Sequence, residues 1–376
     1  MIETNGMTSA RARAPKQTAP EIDPRIAAFG NALEQLRQEV EQQIGESDAE
    51  HIRRIGKLSA RLEILGRSLL QLSFEPIGFS LGTAALWAHK TLELMEIGHM
   101  ALHGAYDGLP DAERYQSKAF AWKAPIDESS WKQGHNVRHH QYTNIAGKDP
   151  DLDFGALRLS ARIPYKPIHA LQPVANFFSW MGFTTAINLH VTGILDVYLK
   201  QGTSDQLQHP SRGQVRKAQR TFLSKQLRYY AREYGFFPAL AGPFFPKVLL
   251  GNMLSELGRD LFAAAIIYCG HVGADDFPAG TEPPTRADWY ALQARAARDV
   301  EVPEWVSILC GGLDLQIEHH LFPRLPPNRL RQIAPRVREI CAEHGVKYQS
   351  DSWPRTLRSV VSELYRLRKA SASVAA

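Results

Sequence analysis

The chain has 376 residues, of which 22% are charged and 44% hydrophobic, and its formal net charge is +5. The mean hydropathy of −0.29 resembles that of soluble proteins, and nothing in the charge pattern indicates nucleic-acid binding. Three cysteines without a CxxC pair exclude a disulfide framework and a thiolate metal site, which fits a reducing compartment. The N-terminus lacks the apolar segment of a secretory signal.

The two ends of the chain are more polar than its middle. Residues 1–25 are predicted to be a disordered tail. Between residues 26 and 70, apolar residues recur at helical spacing among Glu, Arg and Gln side chains, which predicts two amphipathic helices with a break near Gly45. Residues 351–376 are predicted to form a C-terminal helix and tail.

Uncharged runs occupy the middle of the chain, at residues 76–88, 167–195, 236–246 and 261–274. Only the run at 167–195, with 29 residues, is longer than the ~18–20 residues that a helix needs to cross a bilayer. Polar spans that line a catalytic cavity nevertheless score poorly on hydropathy scales. We therefore expect about four membrane-spanning helices, near residues 68–88, 87–106, 170–197 and 236–272.

A basic stretch runs from Arg212 to Arg232 and contains seven Lys or Arg residues and no acidic residue. Such a stretch contacts lipid headgroups, a phosphorylated substrate or an acidic protein partner. Because it lies between apolar segments, the positive-inside rule places it in a cytosolic loop. Arg216, Lys217 and Arg220 are its central candidates for binding a partner or a substrate headgroup, and a solvated helix face is the alternative.

Histidines form the most specific pattern in the sequence. Eight of the 14 histidines fall into three spaced clusters and one isolated position. In chain order these are His99 and His103, then His135, His139 and His140, then His271, and finally His319 and His320. One HxxxH pair arises easily by chance, but HxxxH, HxxxHH and QxxHH in succession do not. The other six histidines are interpreted as ordinary hydrogen-bonded residues.

The spacing of these histidines predicts metal binding. Residues four apart in an α-helix lie on one face, so each HxxxH pair should point in one direction. Gln316 precedes the last doublet by three and four residues and should face the same space. Neutral imidazole is a common ligand of iron, zinc and copper. Eight candidate ligands are too many for one ion, so the pattern predicts two.

Other metal sites fit the sequence less well. There is no HExxH motif, which disfavours a zinc protease of that type. Carboxylate di-iron sites of the ferritin type need Glu-x-x-His from two helices, and only Glu96 and His99 have that spacing.

At the histidine clusters the chain resembles the membrane fatty acid desaturase family, and the bacterial acyl-CoA desaturases in particular. The segments that carry the resemblance are EIGHMALHGAYD, GHNVRHHQYTNIAGKDPDLDFG, IIYCGHVG and QIEHHLFPRLPPNRL. The last segment, with Gln in place of a first histidine, is also typical of front-end desaturases. The resemblance extends from about residue 50 to about residue 350, in family order.

This resemblance implies an all-α, integral-membrane, multi-pass bundle under a helical cytosolic cap that carries the histidine boxes, with a desaturase domain at residues 71–350. It implies that the eight histidines bind two non-haem iron ions. Gln316 stands where many relatives have a ninth histidine, as a ligand or a neighbour of the ligands. Glu96, Asp149 and Glu318 lie beside the boxes and are predicted to orient imidazole N–H groups, with ordinary surface charge or helix capping as the alternative.

The implied reaction is O2-dependent desaturation of a fatty acyl-CoA or acyl-lipid, giving a cis double bond. A saturated acyl chain has no acidic proton and no leaving group, so a cofactor must supply the chemistry. The sequence has no dinucleotide fingerprint, ferredoxin-type cysteine set or HPGG haem motif, so an external ferredoxin or reductase is the expected electron donor, and membrane lipid the expected surroundings. The alternatives are hydroxylation of an acyl or sphingoid chain on this scaffold and a non-catalytic metal-binding membrane protein.

Overall fold

Helices make up most of the chain in the computed structural model, which describes residues 23–199 and 211–370. The α-helices are α1 (Pro24–Glu41), α2 (Glu46–Leu72), α3 (Pro76–Leu92), α4 (Met100–His103), α5 (Glu128–Trp131), α6 (His140–Tyr142), α7 (Gln172–Met181), α8 (Phe183–Val191), α9 (Ile194–Leu199), α10 (Arg212–Tyr230), α11 (Phe237–Ala239), α12 (Phe245–His271), α13 (Arg286–Ala296), α14 (Glu304–Cys310), α15 (Gln316–Leu321), α16 (Pro327–Glu343) and α17 (Trp353–Leu367).

Other elements interrupt or connect these helices. Three π-helical segments are π1 (Glu93–His99), π2 (Lys132–His139) and π3 (Ala231–Phe236). Short 3₁₀ segments lie at Glu113–Tyr115, Pro150–Leu152, Pro167–Leu171 and Gly242–Phe244. Strands β1 (Asp299–Glu301) and β2 (Ser350–Ser352) pair in parallel, with Asp299 opposite Ser350.

The N-terminal helices α1 and α2 cover the region where the sequence predicts two helices with a break near Gly45. Helix α1 begins at Pro24, inside the predicted tail, because the Asp23 side chain accepts a hydrogen bond from the Arg25 N–H and caps the helix. Residues 1–22 of that tail lie outside the described residues, as do residues 371–376 at the C-terminus.

Helices α2, α3 and α12 form the central layer, and α3 packs between the other two. The contact of α2 with α3 is close, because a Cβ atom added at Gly66 would lie 2.9 Å from the carbonyl oxygen of Gly82. Any larger residue at these two positions would separate the backbones. The pair therefore fixes the direction in which α3 leads into π1.

Two apolar clusters hold the segments that carry histidines. One cluster combines side chains of α1, α2, α13 and α16, and the other combines side chains of α12, α14 and α17. The π1–α4 segment contributes to both, with Ile97 and Met100 in the first and Met95 and Leu102 in the second. The first histidine cluster is thus fixed from two sides.

The expectation of an integral-membrane bundle is wrong for the described residues: no helix in 23–199 or 211–370 combines the length and apolarity needed to cross a bilayer. The predicted span at 170–197 is divided among α7, α8 and α9, and α3 has only 17 residues. Helix α12 has 27 residues, but Glu256, Arg259 and Asp260 interrupt its middle. The strand pair β1–β2 is a second, smaller departure from the all-α prediction.

A buried network of ion pairs explains why the central helices carry charge. Lys90 Nζ on α3 lies 3.0 Å from Glu233 and 3.1 Å from Glu256, and all three side chains are buried. Arg259 lies 2.8 Å from Asp260 and 3.1 Å from Glu256. Charges placed in an interior need such partners, since an unpaired buried charge costs several kcal/mol.

We predict that Lys90→Met lowers the free energy of unfolding by about 3–5 kcal/mol, because it leaves two buried carboxylates without this partner. Denaturant unfolding followed by circular dichroism measures the change. The control is Arg336→Met, which removes an exposed pair with Glu339 and should cost about 1 kcal/mol or less. Equal costs for the two variants would contradict a stabilising role of the network.

Candidate metal centre

Four parts of the chain bring the eight sequence-predicted histidines into one cluster. Six of the eight side chains are buried, and His135 and His271 are partly exposed. The segment π1–α4 supplies His99 and His103, the segment π2–α6 supplies His135, His139 and His140, the end of α12 supplies His271, and α15 supplies His319 and His320.

The π-helical geometry changes how the second histidine cluster points. In π2 the hydrogen bonds join residues five apart rather than four. His135 and His140, which are five apart, therefore bring their Nε2 atoms within 3.2 Å of each other. The rings of His135 and His139 stack with centroids 5.1 Å apart. In a regular α-helix His140 would be turned aside from His135 and His139, but in the structure it lies against His135.

Seven of the eight histidines, all except His140, form two groups of converging nitrogen atoms. The first group contains His99, His103, His135 and His319, and the second contains His139, His271 and His320. Within each group the candidate ligand atoms all lie within 4.8 Å of one another. The Nε2 atoms of His99 and His135 are 3.3 Å apart, and those of His271 and His320 are 3.2 Å apart.

These separations fit metal binding. Two imidazole nitrogens bound to one ion at about 2.0–2.1 Å lie roughly 3.0–3.4 Å apart. The Nε2 atoms of His103 and His319 are buried and have no hydrogen-bond partner among the described residues. A buried nitrogen without a partner costs free energy, and a bound metal removes that cost. The donor set is therefore suited to two transition-metal ions.

Burial keeps most of the rings neutral, which is the form that binds metal. It lowers the pKa of His99 and of His271 to about 3. The pKa values of His103, His135, His140, His319 and His320 are also well below the ordinary value, with burial as the largest cause. Burial also disfavours charge on His139, but the carboxylates of Asp149 and Asp151 outweigh it and raise its pKa to about 9.

Asp149 orients His139. The two oxygens of its carboxylate each lie 3.1 Å from His139 Nδ1, so that nitrogen donates to Asp149 and Nε2 is left for a metal. The backbone N–H groups of Asn144 and Asp151 donate to the same carboxylate and fix its position. The structure thus places Asp149 where the sequence predicts an orienting carboxylate.

Gln293 orients His320, and sequence reasoning missed it. Its Oε1 accepts a hydrogen bond from His320 Nδ1 at 3.1 Å, and its Nε2 donates to the backbone oxygen of His140 at 3.1 Å. The side chain is fully buried on α13. No motif surrounds it in the sequence, and a buried glutamine on a helix outside the boxes gives no signal before the fold is known.

Gln316 completes the second group. Its side-chain nitrogen lies 2.7 Å from His271 Nε2 and 3.5 Å from His320 Nε2, and its oxygen has no partner among the described residues. Rotation of the amide by half a turn directs the oxygen at the same point. This close approach requires Gly270, since a Cβ atom there would lie 2.8 Å from Gln316 Cγ.

Glu96 and Glu318 make their side-chain contacts among the described residues with partners other than the eight clustered histidines. Glu96 pairs with Arg331 at 2.8 Å and with His51 at 2.7 Å, which ties π1 to α2 and α16. Glu318 accepts a hydrogen bond from Tyr348 at 3.0 Å. Burial and the neighbouring Asp299 raise the pKa of Glu318 well above its ordinary value.

A cavity with mostly apolar walls borders the histidine cluster, and we call it the apolar cavity. His99, His135, His139, His271 and Gln316 form one wall of it. The remaining walls are mostly apolar or aromatic and include Met95, Trp122, Trp131, Ile187, Val191, Ile267, Tyr268 and Leu313. An apolar ligand in this cavity would lie against the nitrogen atoms that are suited to metal.

A polar depression, here called the vestibule, adjoins the apolar cavity. His190 and Val191 line both spaces. The vestibule is also lined by Ser129, Ser130, Gln133, Arg138, Asp196, Gln214 and Lys217. The predicted basic stretch forms α10 and π3, and Arg216, Lys217 and Arg220 are all exposed. Of these three, Lys217 lines the vestibule.

Comparisons with known proteins agree with this geometry. The sequence profile of the fatty acid desaturase family matches residues 76–352. The NADPH-dependent stearoyl-CoA 9-desaturase of Mycobacterium tuberculosis is 32% identical over 343 residues, which cover 88% of this chain and 77% of that protein. The sn-1 linoleoyl-lipid 6-desaturase of Synechocystis is 27% identical over 276 residues, covering 72% and 74%. With similarity across most of both chains, the protein belongs to the fatty acid desaturase family of oxidoreductases.

Proposed function

We propose that the protein introduces a cis double bond into a fatty acyl-CoA, using O2, two iron ions and electrons from an external donor. The observation that carries the proposal is the apolar cavity, because one of its walls is the histidine cluster. The name of the mycobacterial relative supports a thioester of coenzyme A as the substrate. In the balanced reaction, O2 is reduced to two water molecules by two acyl hydrogens, two external electrons and two protons.

The residues present fit iron. His99, His103, His135 and His319 would hold one ion, and His139, His271 and His320 the other, with His140 and Gln316 adjacent. Bound there, iron would supply the oxidising power for removing hydrogen from an unactivated chain, which zinc lacks because it has no redox chemistry. Neutral imidazoles are suitable ligands for iron.

The chain's own contribution is to position the acyl group. The apolar lining binds methylene groups by removing them from water, at about 25 cal/mol per Å² buried. Trp131 stacks on His135 with ring centroids 4.4 Å apart, so an aromatic face borders the reacting segment. Phe183 and Tyr268 also line the cavity and restrict the path of the acyl group. This path decides which two acyl carbons lie beside the histidine wall.

The vestibule suits the polar end of an acyl-CoA. Arg138 and Lys217 line it and make no salt bridge among the described residues. Two such cations favour phosphate groups, while Ser129 and Ser130 offer hydroxyl donors. If the phosphates lie in the vestibule and the thioester lies near Val191, the acyl group extends from Val191 into the apolar cavity. The basic helix α10 thus contributes to the substrate site through Lys217.

We predict that expression in a host with a simple fatty-acid profile produces a new monounsaturated acid, which gas chromatography and mass spectrometry identify together with its double-bond position. His139→Ala should abolish the product and lower bound iron, measured by elemental analysis, because it removes a ligand of the second group. The control is His344→Ala, which should preserve both. An added hydroxyl in place of a double bond would contradict desaturation.

We predict that Val191→Trp blocks the junction of the vestibule and the apolar cavity. Activity should fall at least about ten-fold, because a bulky side chain costs several kcal/mol where methylene groups must pass. Iron content should not change, since Val191 lies outside both histidine groups. Val361→Trp, at an exposed position on α17, is the matched control. Full activity of Val191→Trp would show that the acyl group enters the apolar cavity by another route.

We predict that Lys217→Glu raises KM for acyl-CoA by about ten-fold at low ionic strength, because the vestibule gains repulsion towards phosphate. Steady-state kinetics with saturating electron donor measures the change. Lys57→Glu, at an exposed position on α2, makes the same charge change away from the vestibule and should leave KM unaltered. The same KM for both variants would exclude Lys217 from substrate binding.

A further inference from the structure

A second depression lies over the metal centre, and it shares no lining residue with the apolar cavity or the vestibule. We call it the His140 depression. It has a volume of about 830 Å³ and is open to solvent. It is bounded by α1, π2–α6, α13 and the segment from the end of α15 to Leu325, and its lining includes Arg37, His140, Gln141, Arg286, Trp289 and Arg324.

His140 connects this depression with both groups of histidines. It is the one member of the eight that lines the depression, and it does not line the apolar cavity. Its Nε2 lies 3.2 Å from His135 Nε2 in the first group. Its ring also stacks on His320 of the second group, with centroids 4.3 Å apart and planes 20° apart. A single imidazole therefore separates the floor of the depression from both candidate metal sites.

The rim of the His140 depression carries a small excess of positive charge, since three arginines and two glutamates line it. Arg286 and Arg324 are exposed and make no salt bridge among the described residues. Arg37, by contrast, pairs with Glu34 and Glu41. Arg286 lies over the Trp289 ring at 4.2 Å, and the Trp289 indole N–H donates to the Gln141 backbone oxygen at 3.3 Å. Trp and Arg presented in this way are typical anchors of protein interfaces.

We propose that the His140 depression docks an acidic protein that carries one electron at a time, and that this carrier delivers electrons to the candidate metal centre through His140. This inference rests on the proposed function, in which two electrons per double bond come from an external donor. Each reduced carrier gives up one electron and leaves oxidised, so two carriers serve each turnover. The wide opening and the cations at its rim fit a protein surface, whereas the proposed entrance of the acyl group is the vestibule, which has a different set of lining residues.

The test uses the double variant Arg286→Glu/Arg324→Glu and an acidic plant-type [2Fe–2S] ferredoxin as the probe. Calorimetric titration of the full, iron-loaded chain at low and high salt gives Kd. We expect about ten-fold weaker binding by the variant at low salt and little difference at high salt, because opposite charges at the rim accelerate and favour association. KM for ferredoxin should rise in parallel, with unchanged iron content and unchanged KM for acyl-CoA.

Matched variants separate docking from misfolding and from general charge effects. Arg355→Glu/Arg358→Glu on α17 makes the same charge change outside the depression and should bind ferredoxin like the parent chain. Arg286→Lys/Arg324→Lys keeps the charge and should retain salt-dependent binding. Equal Kd values for the parent chain and the Arg286→Glu/Arg324→Glu variant would overturn the proposal, as would salt-insensitive or absent binding by the parent. A loss of binding caused by Lys217→Glu instead would assign docking to α10.

Binding is measured without turnover, so the two proposals fail in different ways. If the expressed chain forms no double bond but the double variant still loses ferredoxin, the docking surface stands and the reaction is wrong. If the chain desaturates and both proteins bind ferredoxin equally, the reaction stands and the docking surface is wrong.

Discussion

Eight imidazoles that converge in the interior are the constraint on which the rest of this structure depends. Burial favours their neutral form, and neutral nitrogens without partners cost free energy in an interior. Metal binding removes that cost, but only if the rings already point at common centres. The π-helical segments, the two apolar clusters, Asp149 and Gln293 all hold rings in position. The scaffold is thus organised around the orientation of a few side chains.

Two spaces of different character border the candidate metal centre. The apolar cavity reaches the histidines from one side and suits methylene groups, which bind where water is excluded. The His140 depression reaches them from another side and carries arginine and tryptophan at its rim. The proposed reaction, which needs both an apolar substrate and electrons from a carrier protein, would benefit from this separation. The proposed carrier would approach the candidate centre without displacing the acyl group.

Charge inside the helical layer is the second organising feature. Lys90, Glu233, Glu256 and Arg259 neutralise one another between α3, π3 and α12. Each of these residues lowers the hydropathy of its own helix, although its side chain faces a partner of opposite charge. Hydropathy summed along a sequence counts the charge and ignores the partner. The run at 167–195 contains no charged residue, so hydropathy ranks it as the best candidate for a membrane-spanning helix. In the fold this run is divided among α7, α8 and α9.

The sequence by itself determined the helical character of the chain and the eight histidines of the centre. Repeated spacing along a chain is a local property; in the fold, seven of the eight positions fall into the two groups and His140 contacts both. The sequence did not determine how these histidines are divided between the two groups, because residue spacing alone does not distinguish a π-helix from an α-helix. Gln293, the partners of Glu96 and Glu318, and the position of Lys217 in the vestibule depend on contacts between distant segments. Only tertiary packing decides such contacts, since it sets which side chains meet across helices that are far apart in the chain.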